Sequence, residues 1–235
     1  MPLPPLPLRL LALGACAAAF KPCHLPYTPF TKSVESPCFA TVGRPLAQGV
    51  SVRKYDAALD NRATLVSANV SAGLQPWLNG LEISANHLFE YFTGMGNADG
   101  ANLTAYLTAP LMFRPARGTT ASGQPWFAEM VLQPSAWPAN STPPSPARNF
   151  VELSVFGPLL LAVLHRRFQA PPSQSDFEAC DAELRKVVAA SGQWTVDAED
   201  PRTPTFAFYF PRDDEPPVPK GPFDIECWAV VAAAE

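Results

Sequence analysis

The side chains that could do chemistry in this 235-residue sequence are few, and their spacing forms no catalytic pattern. The sequence places none of the three histidines, His24, His87 and His165, beside a serine, as a hydrolase triad would require. No nucleophile elbow, HExxH pair, P-loop or Gly-x-Gly-x-x-Gly turn occurs. The acidic run Asp213-Asp214-Glu215 is followed at once by prolines, whereas a calcium loop alternates its ligands around a glycine. We therefore expect no enzymatic activity and no metal site.

Cysteines form the second reactive set. Cys16 lies in an apolar leader, and its removal would leave an even set of Cys23, Cys38, Cys180 and Cys227 without the Cys-x-x-Cys spacing of metal or redox sites. These four are disulfide candidates, and the sequence leaves all three pairings open. Cys180 also fits a small buried apolar residue on a helix face.

The chain begins with a pattern typical of a secretory signal. Residues 1–19 contain one basic residue, Arg9, then a short apolar run and small residues, which predicts cleavage after Ala19. A disordered proline-rich leader is the alternative. We expect a tether over residues 20–34 and a single domain over residues 35–235, secreted and without a membrane anchor, because no later apolar run reaches spanning length.

Three Asn-x-Ser/Thr sequons gain meaning if the chain is secreted. Asn140 lies in a proline-rich loop and is predicted to be the most accessible glycosylation site. Asn69 and Asn102 fall at predicted strand edges, where access is more restricted.

Charge and composition exclude some partners. The formal net charge is -4, from 17 basic and 21 acidic residues without a basic run, so nucleic acid is not an expected partner. The 47% hydrophobic content is sufficient for a packed core. The 28 prolines cluster between the periodic segments and mark connections.

Two amphipathic helices are predicted to position the candidate residues. The first covers residues 76–93 and the second residues 174–190, and a glycine follows each. Ser173 and Asp176 form a capping-box pattern at the start of the second helix. Each helix has one apolar side to bury.

Alternating apolar residues predict strands around both helices. The predicted strands cover residues 50–55, 63–70, 103–111, 126–132, 150–156, 159–168, 205–210 and 223–231. The order of two strands, one helix and two strands therefore occurs twice. The simplest arrangement is an α+β fold in which both helices pack on a curved or closed antiparallel sheet.

One segment resembles a known family. Residues 88–97 give a helix end, a glycine and a Gly/Asn turn, and residues 103–110 then alternate and close on Thr108-Ala109-Pro110. This pattern resembles the SOUL heme-binding protein family over roughly residues 35–231. The resemblance implies a distorted antiparallel β-barrel from two β-α-β repeats with two packed helices, the SOUL or effector-binding-like fold.

The resemblance also implies a ligand, heme or another tetrapyrrole, held without a covalent bond. In similar proteins heme lies against one flank of the first helix and a loop before the last strand. The matching positions here are Glu82, Ala85, Phe89, Glu90 and a loop over residues 217–222 that contains Lys220. A carboxylate at Glu82 or Glu90 would repel a heme propionate. The alternative is therefore an extracellular interaction module that keeps the fold, does not bind heme and has an unidentified protein partner.

Two positions, Phe89 and His165, each allow two interpretations. Phe89 lies beside the apolar stripe of the helix, so it faces a ligand or widens the buried face. His165 lies in an apolar strand before Arg166 and Arg167, where it meets a propionate-bearing ring or serves a structural role. His87 is expected on the protein surface. The favoured function is that of a secreted, non-enzymatic carrier of a tetrapyrrole.

Overall fold

A computed structural model describes residues 36–55, 64–70, 77–104, 110–115, 126–132, 142–149, 151–155, 158–209 and 222–234. The predicted leader, the tether and Lys220 lie outside these residues. Ten strands and two α-helices follow in chain order: β1 (Ala40–Thr41), β2 (Val50–Tyr55), β3 (Thr64–Val70), α1 (Trp77–Thr93), β4 (Leu111–Pro115), β5 (Trp126–Val131), β6 (Val151–Val155), β7 (Leu159–Phe168), α2 (Gln174–Ser191), β8 (Trp194–Val196), β9 (Thr205–Tyr209) and β10 (Phe223–Ala233).

The strands form one sheet in the order β1-β2-β7-β10-β9-β4-β5-β3-β6, and β8 pairs with the end of β10. Every described pairing is antiparallel. This arrangement confirms the predicted α+β class. The described strands form an open sheet with β1 and β6 at its ends, so the distorted barrel that the family resemblance implies is not closed in them.

The strand order is symmetric with respect to the two halves of the chain. Elements β2, β3, α1, β4 and β5 correspond in sequence order to β6, β7, α2, β9 and β10. Exchanging the corresponding strands turns the order β2-β7-β10-β9-β4-β5-β3-β6 into its own reverse. The repeat of element order that the sequence predicts is therefore a feature of the sheet.

Both helices pack on one face of this sheet, which we call the helix face. Helix α1 packs mainly on β3, β5 and β6, and α2 packs mainly on β7, β8 and β10. On α1 the side chains of Leu88, Tyr91 and Phe92 are fully buried, and on α2 Leu184 and Val188 are fully buried. One core cluster joins both helices to the sheet.

Local signals explain why α2 starts and α1 ends where the sequence predicts. The Ser173 hydroxyl accepts a hydrogen bond from the Asp176 backbone N–H, and the Asp176 carboxylate accepts one from the Ser173 N–H at 2.7 Å. This capping box satisfies N–H groups that α2 leaves unpaired, and hydrogen bonding lowers the pKa of Asp176. Gly94 follows α1 at φ 94°, and a Cβ there would lie 2.6 Å from the Gly100 carbonyl oxygen, so this turn needs glycine.

One strand prediction is wrong at its start. The sequence predicts a strand over residues 103–111, of which 105–109 lie outside the described residues, and the described strand β4 covers Leu111–Pro115. The Leu103 N–H donates to the Phe92 carbonyl at 2.6 Å, so it completes the end of α1 and takes no part in a sheet ladder. The other predicted strands agree with the structure within two residues at each end, and β1 and β8 were not predicted.

A disulfide ties the second helix to the sheet. Cys180 of α2 and Cys227 of β10 are bonded, with their Cα atoms 6.3 Å apart. Cys38 is disulfide-bonded as well, whereas Cys23 lies outside the described residues. These findings confirm the prediction of disulfides among the candidate cysteines. No helix within the described ranges is long and apolar enough to cross a membrane.

Candidate functional site

Helix α1 presents an apolar side chain to solvent on the flank that the sequence proposes as a ligand site. Phe89 is 38% exposed, although its neighbour Leu88 is fully buried. Ala85, one turn earlier, is half-buried against the core. Among the described residues, Phe89 and Met95 are the large apolar side chains that are exposed, Met95 by 71%. Phe89 therefore faces outward and does not extend the core.

The charged neighbours of Phe89 are only partly described. The Glu90 side chain is 39% exposed and lies 3.6 Å from the Nδ1 atom of His87, which is 30% exposed. The sequence predicts His87 on the protein surface, and the structure shows its side chain half-buried. The side chain of Glu82 and the whole of Lys220 lie outside the described part of the chain.

A buried asparagine holds the turn that follows α1. Asn97 is 4% exposed, and its Nδ2 donates to the carbonyls of Tyr91 at 2.7 Å and Ala101 at 2.8 Å. The Ala101 N–H donates back to Asn97 Oδ1 at 2.9 Å. Because a buried amide needs its hydrogen bonds satisfied, Asn97 locks the turn against the helix. Asn97, which belongs to the Gly/Asn turn of the family resemblance, therefore has a structural role.

His165 lies apart from this flank. Its neighbour Leu164 belongs to the core cluster of the helix face, so alternation along β7 places His165 on the opposite face of the sheet. There its Nε2 lies 2.8 Å from an oxygen of Asp224, and the Arg167 guanidinium donates to both Asp224 oxygens at 3.0 and 2.9 Å. The structure therefore does not bring His165 together with Phe89.

A buried polar cluster on this opposite face was missed by the sequence analysis. Glu226 of β10 is 0% exposed, and Arg53 of β2 donates two hydrogen bonds to it at 3.0 and 2.6 Å. The Tyr209 hydroxyl and the Trp228 Nε1–H donate to the same carboxylate at 2.8 and 2.9 Å. Burial raises the pKa of Tyr55, whose ring packs 5.8 Å from that of Trp228.

The chemistry of this cluster is structural. Three of the four hydrogen bonds reach Oε2 of Glu226, from Arg53, Tyr209 and Trp228, and the second Arg53 bond reaches Oε1. These donors favour the charged carboxylate and fix its orientation between β2 and β10. The sequence signal was alternation: Asp224, Glu226 and Trp228 lie two apart on one face of β10.

Within the described ranges, no three His, Cys, Asp or Glu side chains lie close enough to hold a metal ion.

Comparison with known proteins gives similar solved structures but no family. No protein-family model matches the chain. No curated protein matches it. A solved structure of a hydrolase from Listeria innocua is 12% identical, covers 72% of this chain and 87% of its own, and gives a TM-score of 0.43. An uncharacterized conserved protein from the same organism is 13% identical, covers 72% and 88%, and gives a TM-score of 0.45.

These findings correct one expectation. The sequence analysis expected no enzymatic activity, whereas one similar structure is that of a hydrolase, and we withdraw the expectation. A similarity at 12% identity assigns no reaction, substrate or catalytic residue to this chain. Neither protein is identified as a member of the SOUL family, so that resemblance stays a prediction.

Proposed function

We propose that this protein is a secreted binder of a flat apolar molecule, heme or another tetrapyrrole, which lies without a covalent bond on the outer flank of α1. The observation that carries the proposal is the exposure of Phe89 on a helix whose neighbouring large apolar side chains are buried. The SOUL-like arrangement of two β-α-β repeats in a distorted barrel is part of the proposal. It is supported by the repeat symmetry of the strand order.

Physical chemistry favours an apolar ligand at Phe89. Covering the 38% of Phe89 that is exposed contributes about 0.6 to 1.1 kcal/mol, because full burial of a phenylalanine contributes about 1.5 to 3 kcal/mol. A planar ring can also offset-stack on it, which adds about 0.5 to 1.5 kcal/mol. Ala85 lies one turn before Phe89 and its short side chain leaves space for a flat molecule along the helix. The His87 ring lies 3.6 Å from the Glu90 carboxylate, so this charge faces a histidine on its own helix as well as the proposed ligand site.

Disulfides support the secreted location. Such bonds form and persist in oxidising compartments and are rare in the cytosol of most cells. Cys180, Cys227 and Cys38 are all bonded here. Together with the signal-like residues 1–19, they favour passage through a secretory pathway.

The test is a hemin titration followed by the Soret absorption at low and raised salt. We expect saturable one-to-one binding, and at least about tenfold weaker binding in Phe89→Asp because a charge replaces the stacking surface. Phe89 is 38% exposed, so loss of its remaining contacts should lower the free energy of unfolding by about 1 to 2 kcal/mol and leave the variant folded. The matched control is Ala179→Asp, which adds the same charge at an exposed position of α2.

Two results would contradict the proposal. One is equal hemin affinity in a folded Phe89→Asp variant, which would remove the site. The other is a non-saturating response of the unchanged protein. That response would favour an extracellular interaction module, for which the half-exposed carboxylate of Glu90 beside Phe89 is the supporting observation.

A further inference from the structure

The structure changes which of the three sequons is best supported as a glycosylation site. Asn102 and Thr104 are both exposed and lie in the connection after α1, not at the strand edge that the sequence predicts. Asn69 lies within β3, opposite Phe127 of β5, in a strand that also pairs with β6. Asn140 lies outside the described residues. Asn102 is thus the sequon for which exposure and geometry are both known.

The side chains of this sequon are already arranged around one atom. Asn102 Oδ1 accepts a hydrogen bond from the Thr104 backbone N–H at 3.0 Å and another from the Thr104 hydroxyl at 2.7 Å. The first contact closes an Asx turn, in which the side chain mimics a backbone turn. Two donors on the carbonyl oxygen draw electrons from the amide, which makes the Nδ2 proton easier to lose when nitrogen acts as a nucleophile.

Hydrogen bonds of the residues on both sides of Asn102 hold the sequon against the end of α1. Leu103 is 3% exposed, and its N–H donates to the Phe92 carbonyl at the end of α1. Ala101, on the other side, is held by both ends of the buried Asn97 amide. The middle residue is therefore buried while the residues on either side of it face solvent. An enzyme can reach Asn102 without opening the fold.

We propose that Asn102 is an N-glycosylation site, an inference that rests on the proposed secretion. The donor would be an oligosaccharide linked to a membrane lipid through pyrophosphate, supplied by the secretory compartment. Asn102 Nδ2 attacks the first sugar carbon, a C–N bond forms, and the bond from that carbon to the pyrophosphate oxygen breaks. The lipid pyrophosphate leaves, and the proton lost from Nδ2 passes to a base of the transferase, so no oxidant or reductant is needed.

The experiment separates this inference from secretion itself. The full chain is translated with endoplasmic-reticulum microsomes in two forms, with its own leader and behind a cleavable heterologous signal sequence. Protease-protected chain is then treated with an amidase that removes N-glycans in heavy-oxygen water, which converts each glycosylated Asn into a labelled Asp for mass spectrometry. Asn102→Gln and Thr104→Ala should each lose one glycan shift on a gel, and Thr104→Ser should keep it.

A matched control is Asn86→Gln, which changes an exposed asparagine of α1 outside any sequon and should leave the gel pattern unchanged. Labelled Asp at position 102 in the protected chain would support the proposal. Unlabelled Asn102 in protected chain behind the heterologous signal would overturn it. Failure of the chain with its own leader to become protected would refute the proposed secretion, and the heterologous form would still decide the modification of Asn102.

Discussion

The buried pair of Arg53 and Glu226 makes a quantitative prediction. Replacing Arg53 by Met leaves the Glu226 charge buried, with only the Tyr209 and Trp228 donors of the original set. Breaking one side of a buried ion pair costs about 3 to 5 kcal/mol. For a chain of this size each kcal/mol shifts Tm by about 2 to 4 °C, so Tm should fall by about 6 to 20 °C.

The double variant tests the physical reason. Glu226→Gln alone leaves the Arg53 charge buried and faces it with an amide N–H₂ group, so it should also cost about 3 to 5 kcal/mol. Arg53→Met with Glu226→Gln leaves no buried charge and one imperfectly paired amide, which should cost about 1 to 3 kcal/mol. The two single costs are therefore expected to be strongly non-additive.

Urea unfolding of the oxidised protein, followed by tryptophan fluorescence, measures these free energies. The matched control is Arg185→Met, which breaks a more exposed pair with Asp181 on α2 and should cost no more than about 0.5 kcal/mol. Additive costs in the double variant, or a cost for Arg53→Met as small as that of the control, would refute the assignment of a buried, desolvated pair.

Two further predictions concern pH and the disulfide. Burial raises the pKa of Tyr91 from 10.0 to about 12, so its neutral form stabilises the fold below pH 10, and about 2 to 3 kcal/mol should be lost as pH rises from 10 to 12. Alkaline unfolding of Tyr91→Phe should show a shallower decline, and an unchanged slope would contradict this assignment. The Cys180–Cys227 bond spans 47 residues, so the double variant Cys180→Ala/Cys227→Ala should lose about 4 kcal/mol in the chain-entropy model. Urea unfolding with equal midpoints would show that the bond contributes no stability.

Local signals made the helices predictable. Ser173 and Asp176 lie three residues apart, and their capping box acts within one turn, so α2 begins at the predicted residue. The apolar stripe of α1 likewise identified its buried side. Leu103 was misassigned because alternation alone does not show where a backbone N–H finds its acceptor, which here is the carbonyl of Phe92.

The polar cluster depended on long-range pairing. Arg53 and Glu226 are 173 residues apart, and only the sheet order β2-β7-β10 brings them onto one face. Alternation could place Glu226 on the face opposite Cys227, but no sequence pattern names its partner. The same holds for His165 and Asp224, which are 59 residues apart and meet across β7 and β10.

The symmetric strand order has a consequence for how the chain assembles. Strand β2 of the first half lies beside β7 of the second, and β6 of the second half lies beside β3 of the first. The first strand of each half therefore pairs with a strand of the other half, as strands of two subunits do in a domain-swapped dimer. The chain resembles such a dimer whose subunits have become one polypeptide. Neither half can form all of its strand pairings alone. The pairings of β2 with β7 and of β6 with β3 must therefore form before the sheet of either half is complete.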